Sequence, residues 1–310
     1  MRLQRILITG GTGFIGSHLT RRLIAAGHEV HVLHRPNGNL SRVEGLKTIR
    51  LWECDLLDAD RLNAVLGSVR PQTIYHLAGD STLRHLDPTL AGVKESIDRN
   101  IRSSINLFIA ANAYLPDLAL LIRPGGLEEY GRGPVPYTES QREQPVSPYS
   151  ASQVAVTHYL QMLAPHLSYR ALTVRPALIY GPAQSSSFFI PALIEHCLQA
   201  RDFTISSGHQ GRDLLYVDDL IDALLLLLEA PLPSGEIVNI GAGREYLMAD
   251  VAASIIRRTG AKINLIQDKA LKPGQVEHLY CSNDKARELL GWQPSVDLEE
   301  GLQRTIDSFR

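Results

Sequence analysis

"RILITGGTGFIGSHLTRRLIAAG", residues 5–27, holds a strand, a turn and a helix in one short stretch. The run from Arg5 to Thr9 is apolar and rich in isoleucine, as a buried strand is, and the residues from Phe14 onward have the spacing of an amphipathic helix. Between them come Gly10, Gly13 and Gly16. Position 10 needs glycine for a tight turn, position 13 for close approach of backbone to a diphosphate, and position 16 for packing of helix on strand. The start of the helix then offers free N–H groups and a positive dipole end to phosphate. The stretch predicts a dinucleotide cradle, with Phe14 and Ile15 in the same turn.

Outward from this turn the pattern repeats. Short apolar runs at 29–35, 48–55, 73–79, 118–125 and 170–177 alternate with helical patterns such as 14–26, 95–113 and 149–164, and "EIVNIGAG" at 236–243 adds a last strand. Strands that alternate with helices wind into a parallel sheet. The expected fold is α/β, a doubly wound parallel sheet of Rossmann type with a smaller, interwoven C-terminal substrate lobe. The dinucleotide-binding part covers 1–180 plus about 211–243, and the lobe covers 181–210 and 244–310, with a substrate cleft between them.

The end of the second strand reads the adenosine ribose. A carboxylate there accepts from the 2′-hydroxyl of NAD, whereas a cation suits the 2′-phosphate of NADP. Here the acidic position is His34 and the next residue is Arg35. NADP is therefore preferred over NAD.

Composition narrows the partners. The 310 residues carry a formal charge of −2 with 21% charged residues, which gives no basic field for nucleic acid or an anionic membrane. The longest apolar run, 223–228, is too short to cross a bilayer. Cys54, Cys197 and Cys281 are scattered without metal-ligand spacing, so no metal is expected and each reads as a buried thiol. No signal-peptide pattern opens the chain, and a reducing cytoplasm fits these features. A small molecule is the expected partner.

With these pieces assembled, the chain resembles the extended short-chain dehydrogenase/reductases, which include nucleotide-sugar epimerases, 4,6-dehydratases and 4-ketoreductases. The resemblance rests on "TGGTGFIG" 9–16, "CDLLD" 54–58, "YHLAG" 75–79, "EEYG" 128–131, "VSPYSASQ" 146–153, "RPALIYGP" 175–182, "GRDLLYVDDL" 211–220, "VNIGAG" 238–243, "KPGQ" 272–275 and "KARELLGWQP" 285–294. It implies that Asp55 and Leu56 lie at the adenine and that Leu77, Ala78 and Gly79 line the cofactor. It also implies a homodimer built on the helices at 95–113 and 149–164.

The catalytic set of that family is a Ser or Thr, a Tyr and a Lys. Tyr149 matches the tyrosine, but Gln153 stands at the lysine and Gly126 at the Ser/Thr. A cation a few ångströms from a phenol favours the phenolate by on the order of 2–4 kcal/mol, so its loss leaves a poor base near neutral pH. Gln153 can still hydrogen-bond the ribose. An unassisted tyrosine can nevertheless donate a proton to a developing alkoxide, so these substitutions damage ketone reduction less than alcohol oxidation. The dehydratases' acid–base pair falls on Leu127 and Glu128, and a single carboxylate cannot do both jobs. Glu128 reads either as a replacement acid or, with Glu129, as part of a solvated loop.

For the substrate, Arg212 matches an arginine that meets a diphosphate, while Leu178 and Lys272 stand where the resemblance has Asn and Arg. The expectation is an NAD(P)H-dependent reductase of a keto group on a nucleotide sugar or related metabolite. Nucleotide-sugar epimerisation is the alternative within the family, and a cofactor-binding protein without turnover is the alternative outside it.

Overall fold

The structure is a computed structural model that describes residues 3–82, 90–206, 208–267 and 276–310. Its centre is a seven-stranded parallel sheet. Six of its strands come before residue 177: β1 (Arg5–Thr9), β2 (Glu29–His34), β3 (Arg50–Glu53), β4 (Thr73–His76), β5 (Leu120–Pro124) and β6 (Arg170–Pro176). The strand Ile237–Ile240 adds to β6, and the order across the sheet is Ile237–Ile240, β6, β5, β4, β1, β2, β3. Every apolar run read as a strand in the sequence lies in this sheet.

Side-chain alternation along each strand builds two cores. Ile6, Ile8, Val30, Val32 and Tyr75 face α1 (Phe14–Ala25) and the helix Val217–Leu226, together with Leu19, Leu23, Leu220 and Leu224. Leu7, Leu33, Ile74 and Leu121 face the other way, onto α2 (Ala59–Val69), α4 (Ser103–Tyr114) and α5 (Pro148–Leu163). Each of these side chains contributes about 1.5–3 kcal/mol through burial, which explains runs of β-branched and leucine residues in place of alternation with polar ones.

The helices start where their caps dictate. Asp58 accepts from the Arg61 backbone N–H at 3.0 Å to open α2. Ser147 accepts from Ser150 N–H at 3.1 Å, followed by Pro148 at the first helical position of α5. The 95–113 pattern is one continuous rod made of α3 (Ala91–Ser96), a π-helical turn (Ile97–Arg102) and α4. The wide turn was not legible in the sequence, and it turns Asn100 into the protein, where it is 2% exposed.

β1 pairs with β2 on one side and with β4 on the other, so the winding reverses between β1 and β4. A crevice opens outside the carboxyl ends of strands at such a point. Short strands border it. Leu178–Tyr180 pairs with Leu214–Tyr216, Gly211–Arg212 lies between Tyr246–Leu247 and His278–Leu279, and Phe203–Ile205 pairs with Leu265–Gln267. Cys54, Cys197 and Cys281 are buried free thiols, as the sequence suggested. Among the described residues no helix is long and apolar enough to cross a membrane.

Candidate active site

The glycine turn closes against the end of β4. Gly10 has a φ of 71°, and a Cβ there would sit 2.7 Å from Ala78 N, so both the backbone conformation and the space demand glycine. A Cβ on Gly16 would overlap Gly10 O and Gly11 Cα. Gly13 donates to Gly10 O at 2.9 Å and opens α1 without a side-chain cap. The first N–H groups of the helix are thus left for an outside acceptor. Such a bare, glycine-lined helix start, with no acidic residue in its first turn, fits the diphosphate of a dinucleotide.

From this turn a cavity of about 1140 Å³ extends across the sheet ends. It brings together Gly10, Gly13, Phe14, Ile15, Gly16, Leu77, Ala78 and Gly79 at one end. Gly126, Glu128, Tyr149 and Gln153 are in the middle, with Leu178 and Arg212 beyond them. His34, Arg35, Asp55 and Leu56 are not among its lining residues. His34 ends β2 with Nδ1 3.0 Å from Arg35 O, Arg35 is exposed, and Asp55 accepts from Leu57 N at 2.9 Å in a turn after β3. Lys272 lies outside the described residues.

Tyr149 and Gln153 are one turn apart on α5, both nearly buried and both on the cavity wall. An ideal Cβ on Gly126 would lie 2.6 Å from Glu128 Oε2 and 3.8 Å from Tyr149 Oη. The space that a side chain at 126 would fill is therefore taken by the Glu128 carboxylate, with the Tyr149 hydroxyl nearby. Across the cavity Arg212 feels the Glu128 charge. Burial lowers the Arg212 pKa and Glu128 opposes that shift. The Arg212 guanidinium is anchored on the carbonyls of Gly211, Val276 and Glu277 at 2.7–2.9 Å.

Behind this wall lies a charge network that sequence reading missed. Arg123 of β5, 2% exposed, donates to Gln153 Oε1 and, at 2.8 Å, to Thr157 Oγ1. Thr157 donates to Glu129 Oε2 at 2.9 Å. Arg175 of β6 donates to the same oxygen from Nε at 3.0 Å and Nη2 at 2.8 Å, and to Glu143 Oε1 at 2.6 Å. The solvated-loop reading of Glu128 and Glu129 is corrected here. Glu129 is fully buried because two buried arginines require negative charge, and Glu128 faces the cavity. Burial raises the Glu143 pKa, but the hydrogen bond and charge of Arg175 outweigh it and hold the carboxyl below its ordinary range.

Two more cavity residues were missed. Asn100 donates to Ser152 Oγ at 2.9 Å and accepts from Asp80 N at 2.7 Å. His76, fully buried, lies 2.7 Å from Thr9 Oγ1 and 2.9 Å from Ser104 Oγ, and burial pushes its pKa down to about 3. The sequence did carry a signal for Arg123 and Arg175, each a cation inside an apolar strand run. It carried none for the π turn that positions Asn100.

Residues 6–241 match the model of the NAD dependent epimerase/dehydratase family. The chain belongs to that family. It is 31% identical to a UDP-glucose 4-epimerase of Mycolicibacterium smegmatis over 99% of either chain. Among solved structures, a UDP-glucose 4-epimerase of Thermotoga maritima with UDP-glucose superposes at a TM-score of 0.90, with 28% identity and 98% of each chain covered. A UDP-glucose 4-epimerase of Thermus thermophilus in complex with NAD superposes at 0.88, with 28% identity and 99% covered. As a member of the epimerase/dehydratase family the protein is an enzyme.

Proposed function

We propose that the protein is a nucleotide-sugar epimerase that inverts a hydroxyl-bearing carbon by removing its hydride and returning it to the other face. The observation that carries this reading is the guanidinium of Arg123 hydrogen-bonded to Gln153, one helical turn from Tyr149. Sequence reasoning set epimerisation second because oxidation of an alcohol needs a cation near the tyrosine and Gln153 is neutral. A buried arginine in that place removes the objection.

A nicotinamide dinucleotide, when bound, supplies the acceptor and donor of hydride. The chain's own residues do the rest. The turn at Gly10–Gly16 holds the diphosphate, Gln153 contacts the ribose, and Tyr149 takes and returns the proton of the sugar hydroxyl. Glu128, at the position of the absent Ser/Thr, binds the same hydroxyl or a neighbouring one, and Arg212 meets the diphosphate of the sugar nucleotide. The similarity to UDP-glucose 4-epimerases supports the substrate class. The exposed faces of the central helices carry Val93, Ile97, Ile109, Tyr159 and Met162, which suits a homodimer packed on α4 and α5.

One-way reduction of a keto sugar is the second reading, favoured by Gly126. Without a hydroxyl there, one donor to the substrate oxygen is gone, often worth about 3 kcal/mol. The two readings separate on one experiment. Purified protein is incubated with a panel of UDP- and dTDP-hexoses and followed by proton NMR, with cofactor absorbance read in parallel. Epimerisation gives interconverted hexoses with no net cofactor change, abolished by Tyr149→Phe. Consumption of NADPH with 4-keto sugars and no interconversion selects the reductase, and neither result on either panel refutes both.

A further inference from the structure

In the resemblance one lysine both grips the nicotinamide ribose and supplies positive charge to the tyrosine. In this chain two residues meet at that place. Arg123 comes from β5, whose end leads into Gly125 and Gly126, and its guanidinium donates to Oε1 of Gln153 and Oγ1 of Thr157. Both acceptors are neutral, and both lie on the face of α5 that carries Tyr149, at intervals of one turn. Arg123, Tyr149 and Gln153 all line the same cavity.

Two consequences follow from elementary chemistry. A guanidinium has donors only, so the atom of Gln153 that faces it must be the amide oxygen, and the NH₂ group is turned the other way. Glu129 offsets part of the Arg123 charge, but it is gripped directly by Arg175 and is reached from Arg123 through the Thr157 hydroxyl. Burial lowers the Arg123 pKa, and the charges of Glu129 and of an ionised Tyr149 oppose it. An interaction between two charges is mutual, so Arg123 favours the ionised form of Tyr149 by the same amount.

We propose that Arg123 and Gln153 divide the lysine's two tasks, with Gln153 presenting an amide donor to the ribose side of the cavity and Arg123 acting as a positioning cation for Tyr149. This rests on Tyr149 as the proton-transferring group of the function proposed above. The test reads tyrosine ionisation by ultraviolet absorbance across pH, with the Tyr149→Phe protein subtracted, and needs no substrate.

Arg123→Gln is expected to raise the Tyr149 midpoint by about 1–3 pH units, the usual effect of one nearby charge. Arg123→Gln/Gln153→Lys is expected to bring it back. A neutral residue at 123 leaves Glu129 short of a cation and can disturb folding. The comparison is therefore repeated between Glu129→Gln and Arg123→Gln/Glu129→Gln, where the same rise is expected. A folded Arg123→Gln protein, or a folded double variant against its Glu129→Gln parent, with an unmoved midpoint overturns the proposal. If the sugar panel fails while the midpoint moves as stated, the function is misassigned and the role of Arg123 stands. If the hexoses interconvert while the midpoint stays fixed, Arg123 is merely structural.

Discussion

Gly125 and Gly126 are neighbours at the floor of the cavity, yet a methyl group on each should have very unequal effects. Gly126 has an extended backbone, with φ at −178°, and neither glycine is in the left-handed region, so only space decides. A Cβ on Gly125 would fall inside the carboxylate of Glu129, with Arg123 Nη2 3.4 Å away. Glu129 cannot step aside, because its oxygens accept from Arg175 twice, from Thr157 and, at 3.2 Å, from Gly126 N–H. Breaking such a buried pair costs about 3–5 kcal/mol. With about 2.1 cal/mol/K of unfolding entropy per residue over 310 residues, that lowers Tm by about 5–8 °C. At Gly126 the new methyl meets the end of the Glu128 side chain, which borders an open cavity and can rotate. Gly126→Ala should therefore stay within about 1 kcal/mol of the parent. Urea unfolding followed by circular dichroism measures both. If Gly125→Ala unfolds within 1 kcal/mol of the parent, or the two variants lose stability equally, the buried network does not hold Glu129 as described.

Two further outcomes follow from titration and from the ribose end. His76 is neutral in the fold, with its pKa near 3 by burial, but takes a proton near 6.5 when unfolded, so its contribution is complete above pH 6.5 and drains as pH falls toward 3. Between pH 6.5 and 5 that amounts to about 2 kcal/mol, and His76→Gln should flatten the pH dependence of urea stability by about one proton; equal slopes would refute it. For the cofactor, Arg35→Ala should weaken NADPH binding about tenfold and leave NADH within about twofold, as fluorescence titration reports. Equal losses for both dinucleotides would mean that Arg35 does not read the 2′-phosphate.

The sheet was legible because parallel strands buried on both faces leave short, nearly continuous apolar runs, and the glycine turn because Gly10 and Gly16 have no room for a side chain. The candidate site was legible only where one segment holds it. Tyr149 and Gln153 are read from a single helix, but the charge that completes them arrives from a strand 30 residues earlier in sequence. Strand alternation could have found it. Leu121 and Arg123 share a face, Leu121 packs in the core beside α5, and a charged residue on that face must meet a partner there. The linear spacing of a catalytic motif records one way to bring a cation to a tyrosine. An arginine buried in the strand before that helix, with Glu129 beside it to balance part of the charge, is another that no local pattern encodes. The absence of lysine at 153 is therefore evidence about the route by which charge reaches Tyr149, and not about whether it does.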